Sequence, residues 1–372
     1  MSGSASAEQL QAVGLAHGLD AVGVAPADPF ESTRQVLEER RAAGLNGSMQ
    51  FTYRNPARST DPGATLPGAQ SLVVGARGYR RAAPTCPPGA APAARVARYM
   101  WDDDYAALHA GLEAVAASLR AGGHRACVVA DQNHLVDREA AHRAGLGWYG
   151  KNANLLLPGQ GSWFVLGSVL TDARIEPSAG PVADGCGSCD RCLSACPTGA
   201  IVAPGVVDGG RCLSWSLQAA GPFPREQRVA LADRLYGCDD CQDVCPPNRR
   251  ADREPGAPGD PDRAWVAVLD LLAAPDEALL ARFGHWYLPN REVRYLRRNA
   301  LVVLGNTAEP GDPRVTAALE RWLADADPLL RSHAAWAARR LGLARLLAAV
   351  ADDPSPEVRA ELAAAAPPVR AA

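Results

Sequence analysis

Within residues 105–119, Leu108, Leu112, Val115 and Leu119 recur close to helical period, and this predicts an amphipathic helix. Residues 7–15 and 32–43 also read as helices. Three short apolar runs, 19–25, 71–76 and 126–130, are bounded by Gly, Pro or Asp and predict strands. A longer apolar run, 162–171, closes on Ser168-Val169-Leu170-Thr171 before Asp172 and predicts another strand. The Pro/Ala-rich residues 82–94 read as a surface loop. Beyond a polar stretch at 251–262 the pattern changes to Ala/Leu/Arg-rich helices, and it repeats. Val293-Arg294-Tyr295-Leu296, followed by Ala300, Leu304 and Gly305, aligns with Leu330-Arg331-Ser332-His333, followed by Ala337, Leu341 and Gly342. The offset of 37 residues is near the period of HEAT-like helix pairs, and a frayed third copy begins at Val358-Arg359. Plain helical hairpins are the alternative.

A chain of 372 residues is expected to hold two or three domains. The composition shifts place them at 1–178 (α/β), 179–255 (cysteine-rich and turn-rich) and 256–372 (helical). The fold class expected is therefore multidomain α/β plus α. The net charge is −3, and no apolar run approaches the length of a membrane span. The start, MSGSASAEQLQAVG, lacks the basic residues and apolar core of a signal peptide, so a cytoplasmic protein with no membrane partner is expected, as a monomer. Of the 38 basic residues, Lys151 is the sole lysine. So general a bias toward arginine says little by itself about phosphate binding.

Cysteine spacing changes the picture more than composition does. Cys186, Cys189, Cys192 and Cys196 read C-x2-C-x2-C-x3-C, followed by Pro197. Cys212, Cys238, Cys241 and Cys245 follow, ending again in C-x2-C-x3-C-P at Pro246. The first run has bacterial ferredoxin spacing, in which the fourth cysteine ligates the other of two four-iron–four-sulfur clusters. The expected partition is Cys186, Cys189, Cys192 and Cys245 on one cluster, and Cys196, Cys212, Cys238 and Cys241 on the other. Structural zinc would use four ligands and leave the third cysteine at x2 and the x3-C-P ending without purpose. Disulfides would need an oxidising compartment. Cys86 and Cys127 have no partner spacing and read as free thiols. A pair of adjacent one-electron carriers inside a much longer chain points to an enzyme that delivers electrons.

The segment 131–154 is densest in reactive residues. It holds a formal G-x-G-x-x-G at Gly145, Gly147 and Gly150. A dinucleotide fingerprint must follow a strand and open a helix, whereas residues 135–144 look helical, so Gly145 reads as the end of that helix. These glycines let backbone approach a large flat ligand, or form a plain tight loop. Asp131 closes the apolar strand at 126–130. It is either an acid or base at the mouth of a loop, or a helix N-cap. His134 is a further acid/base or ligand candidate beside the ordinary loop-histidine reading. Asp137 and Arg138 read as a structural pair.

These motifs together carry a resemblance to the epoxyqueuosine reductase family over nearly the full length. It rests on Gly47-Ser48-Met49, Asp61-Pro62, Leu66-Pro67-Gly68-Ala69, Arg98-Tyr99, Asp104-Tyr105, Asp137-Arg138 and the run Arg143 to Asn152 reading RAGLGWYGKN. Gly161-Ser162, Leu166-Gly167, the cysteine runs and the HEAT-like tail complete it. The resemblance implies an N-terminal domain that binds cobalamin with no protein ligand on the lower face of cobalt. No D-x-H-x-x-G segment occurs here, in agreement. It implies Asp131 as proton donor, corrinoid contacts at Arg58, Tyr99, Asp104, Gly147, Trp148, Lys151 and Ser162, and electrons from an external flavodoxin or ferredoxin system. Lys151 is also a candidate for tRNA phosphate. The chain departs from the family pattern at Gln132-Asn133-His134, where a small residue and proline are usual, and at Ala106, where a histidine is frequent. The alternatives are an iron–sulfur corrinoid reductase of another substrate, such as an organohalide, a ferredoxin with appended domains, and an RNA-binding scaffold with structural clusters.

The implied substrate is an anticodon loop of tRNA. Residues 291–345 carry ten Arg against six acids, an excess of +4 in a chain whose total is −3. Arg294, Arg297 and Arg298 are spaced to share a helical face and are the expected tRNA-binding residues, against the reading of a solvated helix face.

Overall fold

The run at 162–171 is apolar because both faces of its strand are covered. In the computed structural model, which describes residues 6–90, 92–178, 180–253, 256–365 and 367–368, Phe164–Thr171 is an inner strand of a four-stranded sheet. The first five residues, on which the reading of the N-terminus partly rests, lie outside the described ones. The sheet runs in the order Ala21–Pro26, Ser71–Gly78, Phe164–Thr171, Ala126–Ala130, with every neighbour antiparallel. One face packs on the helix Asp104–Ala121, whose Leu108, Leu112, Val115 and Leu119 are fully buried, as the helical period predicts. A Cβ at Gly167 would come within 2.6 Å of Ala130 Cβ and 2.7 Å of Leu112 Cδ1, so a glycine there lets helix and sheet meet. The other face carries Leu72, Val74, Ala76, Val129 and Leu170 against Phe30, Leu135, Ala140 and Ala144 around the helix Asp137–Arg143.

The chain forms two compact units, each assembled from separated stretches. The first comprises Met1–Ala82, Asp102–Gly210 and Asp240–Ala257; the second comprises Ala83–Trp101, Arg211–Asp239 and Pro258–Ala372. The cysteine-rich stretch, expected as one module, therefore contributes to both. The stretch expected as a surface loop ends in the strand Ala93–Val96, the middle of a three-stranded sheet in the second unit. Its partners are Arg234–Tyr236, parallel, and Trp265–Ala267, antiparallel.

The helical tail is built from a repeated start signal. Asp312, Asp327 and Ser355 each cap a helix with a proline in its first turn: Pro313–Leu323, Pro328–Arg340 and Pro356–Ala363. The 37-residue repeat has a physical counterpart. Arg294 donates to Asp327 Oδ1 at 2.7 Å, and its repeat-mate Arg331 donates to both carboxylate oxygens of Asp353 at 2.7 and 2.9 Å. Each repeat thus hands a guanidinium to the aspartate ahead of the next. His333, fully buried, donates from Nδ1 to Leu329 O at 2.7 Å and accepts the Phe223 amide on Nε2 at 3.1 Å. Burial, then the nearby Arg228 and Arg298, hold it well below the usual imidazole range. The unfolded chain binds a proton at this histidine below about pH 6.5 and the folded chain does not, so the contribution is lost as pH falls. Chemical denaturation from pH 8 to pH 5 is expected to show His333→Asn with the shallower loss of stability, by up to about 1.4 kcal/mol per pH unit. Asp137 acts with the opposite sign in both proteins and cancels in that comparison.

Candidate functional site

The four cysteines expected on one cluster all belong to the first unit. Cys186 and Cys189 lie in one turn, closed by the Cys189 amide on Cys186 O at 3.0 Å. Cys192 is on the short helix Arg191–Ala195, and Cys245 caps the helix Pro246–Ala251. Burial pushes the Cys245 thiol up to about 11, with Cys186, Cys192 and Cys189 adding to it through their charge. The Cys192 thiol is raised by burial and then by Cys186 and Cys189. Such thiols give up their protons on binding metal, which couples metal binding to proton release. All ten cysteines are free of disulfide bonds. Among the described residues no three Cys, His, Asp or Glu side chains are grouped to hold a single metal ion. A four-iron cube, each iron taking one thiolate, asks for a wider spread. Of the remaining four cysteines, Cys196 and Cys241 belong to the first unit and Cys212 and Cys238 to the second. Cys196 Sγ accepts the Ala200 amide at 3.2 Å.

A buried polar network fixes the last cysteine run against the sheet. Asn248, fully buried, accepts the Ser162 amide on Oδ1 at 2.6 Å and donates from Nδ2 to Ser162 Oγ and Gln242 O, both at 2.9 Å. Ser162 Oγ and Gln242 Oε1 are 2.8 Å apart, and Asn152 donates to Cys241 O at 3.2 Å. A Cβ on Gly161 would lie 1.9 Å from Asn248 Oδ1, so this corner admits only glycine. Ser162, expected at the corrinoid, thus serves the cysteine run. Lys151 does likewise, donating from Nζ to Gly187 O at 2.7 Å inside the Cys186–Cys189 turn. Neither Asn248 nor Gln242 stands out in the sequence, because a polar residue in a turn-rich stretch looks solvated.

The candidate acid sits where its strand ends. Asp131 follows Ala126–Ala130 with φ at +50°, the left-handed conformation that Asp and Asn tolerate better than most residues. It does not cap the next helix, whose N-cap is Val136. Asp131, Gln132 and Asn133 are exposed, while Leu135 is buried in the core and anchors the loop. His134 Nδ1 is 2.8 Å from Gln132 Oε1, so it is held within its own loop. The Asp131 carboxyl is open to solvent yet ringed by enough protein for desolvation to raise it above the usual range, with the exposed His109 opposing the shift. His109, on the helix Asp104–Ala121, lies one turn beyond Ala106; sequence reading passed over it. Behind Asp131 lies Asp137, the first residue of the helix Asp137–Arg143. Its Oδ1 is buried and has no hydrogen-bond partner among the described residues. Burial first, and the charge of Asp131 second, push it well above the usual carboxylate range, and Arg138 opposes them. Arg138 directs its guanidinium to Ala153 O at 3.3 Å, so the expected pairing of Asp137 with Arg138 is only electrostatic.

The glycines of the formal fingerprint pack against protein. Gly145 has φ at +71° and ends the preceding helix, as expected, and a Cβ on Gly147 would lie 2.1 Å from Leu156 O. The residues Trp148–Tyr149 and Leu155–Leu156 form a two-stranded ribbon. Trp148 is buried with its Nε1 unpartnered. Asp104 is 3% exposed and held by both guanidinium nitrogens of Arg81, at 2.8 and 3.0 Å, which withdraws it from acid chemistry. Arg58 is exposed, with no ion pair among the described residues. Tyr99 belongs to the second unit, where its hydroxyl accepts from Gln218 Nε2 at 3.5 Å.

The arginines expected on a tRNA-facing surface are turned to other uses. Arg298 is fully buried and donates to the carbonyls of Ser216, Leu217, Ala219 and Gly221 at 2.6–3.2 Å, tying down the helix Leu213–Gln218 that starts at Cys212. Burial pushes its guanidinium down to about 9. Arg297 is 8% exposed and pairs with Asp276 and Ala274 O. Arg294 is the rung to Asp327. Helical spacing was read correctly, but the stretch Tyr295 to Gly305 is buried, so Arg297 and Arg298 point into the protein while Arg294 stays partly exposed at its ion pair.

Comparison with known proteins covers the cysteine runs, the helical tail and the chain as a whole. A family model described as a 4Fe-4S double cluster binding domain matches residues 185–248, and one for HEAT repeats matches residues 287–366. An epoxyqueuosine reductase of Bacillus subtilis is 33% identical over 334 residues, covering 87% of this chain and 85% of that one. A crystal structure of epoxyqueuosine reductase with an epoxyqueuosine-modified tyrosine tRNA stem loop superposes with a TM-score of 0.86 at 32% identity, covering 95% of this chain and 96% of that one. A structure of the Bacillus subtilis enzyme, described with its catalytic aspartate loop swung out of the active site, gives 0.85 at 31% identity over 95% and 96%.

Proposed function

The chain belongs to the epoxyqueuosine reductase family, and from that premise and its site we infer that it reduces epoxyqueuosine to queuosine in tRNA. The reaction takes two electrons and two protons, turns an epoxide into an alkene and releases water. The observation that carries this reading is the pairing, in one unit, of a four-cysteine cluster site with an exposed strand-end acid whose carboxyl is raised. The protein carries two four-iron–four-sulfur clusters, with the cysteine partition read from the spacing.

Cobalamin is the second cofactor of this reading, and the residues fit it. The buried indole N–H of Trp148 has no partner among the described residues and suits an amide edge of the corrin, and Arg58 is exposed. A bound corrinoid would supply low-valent cobalt, the strong reductant this chemistry needs. The protein's own part is the proton. Asp131, protonated in the complex, donates to the oxygen as negative charge develops there, and its raised pKa suits that task. Covering the loop with substrate desolvates the carboxyl further and holds the proton on it. An external flavodoxin or ferredoxin reduces the clusters, and the enzyme acts as a cytoplasmic monomer. No helix among the described residues is long and apolar enough to cross a membrane.

With Arg297 and Arg298 buried, the tRNA surface of the second unit is sought elsewhere. Tyr287 is 59% exposed and lies beside exposed His285 and Arg291 in a turn where Asn290 and Arg291 both have positive φ. Arg291 donates to Gly284 O and has no ion pair among the described residues. An exposed ring with an uncompensated cation is a stacking platform for a single-stranded loop. Tyr287→Ala with Arg291→Ser is expected to weaken stem-loop binding about tenfold and to lower the salt slope by about one. Filter binding across a salt series checks this; unchanged affinity removes the platform. The overall reading is tested by anaerobic reconstitution and an assay on epoxyqueuosine-containing stem loop. Fully loaded enzyme that forms no queuosine would overturn it.

A further inference from the structure

We propose that Lys151 is a positioning residue that raises the reduction potential of the cluster on Cys186, Cys189, Cys192 and Cys245, so that an electron comes to rest there before it leaves for the corrinoid. The direction of travel rests on the reading of the reaction given above; the tuning of the cluster does not. One short segment holds Cys186 from both sides. Trp148 lies so close to Gly185 that a Cβ there would stand 2.7 Å from the indole, and Lys151 Nζ donates to Gly187 O at 2.7 Å. The Cys189 amide closes the turn on Cys186 O at 3.0 Å, and the Cys186 amide donates to Asp184 Oδ1 at 2.9 Å.

The backbone beneath this lysine is fixed. The Gly150 amide donates to Asn154 O at 2.8 Å, the Ala153 amide donates to Gly150 O at 2.9 Å, and Lys151 O accepts the Gly205 amide at 2.9 Å. Asn152, the next residue, is buried and donates to Cys241 O. A lysine side chain loses much rotamer freedom when it is held in one place, and a single solvent-accessible carbonyl is a weak return for that loss. Among the described residues Lys151 makes no ion pair, so no carboxylate cancels its charge at the turn. Asp184, the acid ahead of the turn, is engaged with the Cys186 amide.

Two effects follow, with the same sign. A cluster on four thiolates is negative, and reduction adds one electron to it, so a nearby cation stabilises the reduced form more than the oxidised one. Gly187 is bonded to Cys186 and separated from Cys189 by Ser188 alone, which puts the ammonium on a carbonyl between two of the four ligands. A peptide is planar and trans, so holding Gly187 O on Lys151 keeps the Ser188 N–H directed away from the lysine. An N–H fixed within the ligand turn is available to the cluster sulfurs, and such hydrogen bonds tune the potential. The external flavodoxin or ferredoxin reduces the other cluster. That cluster is then oxidised by one electron as this one is reduced by one, with no bond made or broken. Two such passages serve one epoxide.

A redox titration of the full chain with both clusters in place, followed by electron paramagnetic resonance, tests this without turnover. At the wild-type midpoint, Lys151→Met is expected to lower the ratio of reduced to oxidised form of one cluster about fivefold, about 40 mV for one electron, and to leave the other where it was. Lys151→Gln keeps a donor without the charge and is expected to fall between. Lys151→Arg is expected to return to within about twofold of wild type, a small shift on the same scale. Cys245→Ser identifies the signal: the one that moves in Lys151→Met is the one that Cys245→Ser lacks. Unchanged midpoints in Lys151→Met, an equal shift of both clusters, a shift of the cluster that survives in Cys245→Ser, or a Lys151→Arg protein as shifted as Lys151→Met overturns the proposal. If Lys151→Met does not take up both clusters, Lys151→Gln decides, and an unchanged midpoint there overturns it. Loaded wild-type protein that forms no queuosine would instead overturn the reaction reading, while the midpoints would still report on Lys151.

Discussion

Asp131→Asn is expected to keep both clusters and cobalamin and to lose about 10²–10⁴-fold in turnover, the usual worth of a placed general acid. Asparagine is the right replacement because the position requires φ at +50°, which Asn adopts nearly as readily as Asp. An alanine would add backbone strain to the loss of the proton and confuse the two. The pH dependence follows from the raised carboxyl. The acid form is the active one, so the rate falls as pH rises through the Asp131 pKa in the complex, and the variant shows a low rate without that limb. Steady-state kinetics with a stem-loop substrate measures both. A variant that turns over normally would move the donor to His109, which faces the same carboxyl.

Cys245→Ser is expected to have the other large effect: loss of about four of eight irons and of all turnover, since both clusters lie on the electron path. Cys212→Ser is expected to remove the other four. Cys86, exposed and outside the pattern, serves as the control whose serine variant keeps both iron and rate. Iron and sulfide analysis with electron paramagnetic resonance checks the set. Cys245→Ser protein with eight irons would break the partition of ligands.

The elements were legible wherever one physical rule dominated. The helix at 104–121 and the strand at 126–130 follow from period and flanking breakers, and the cysteine spacing named its cofactor before any coordinates. The Arg294/Arg331 repeat was visible too, but its meaning was not, because the rung needs Asp327 and Asp353, residues that look like ordinary caps. Arg297 and Arg298 were misread for the same reason: spacing shows which residues share a face, not which way the face looks. Asp104 became a structural ion only with Arg81, 23 residues away in sequence. Asp137 read as the partner of Arg138 because they are adjacent. Arg138 turns instead to Ala153 O, which adjacency in the sequence does not show.

The bonds from Asn248 to Ser162 have a consequence for how the enzyme is aligned. Ser162 stands two residues before the strand Phe164–Thr171, and on that strand Gly167 pairs with Ala130, the residue before Asp131. Cys245, three residues before Asn248, and Asp131 are therefore mounted on the two ends of one short ruler, the residues Ser162 to Gly167. Where the electron enters and where the proton waits are set by the same six residues, so inserting or deleting one of them would put the two ends out of step even if every catalytic side chain remained.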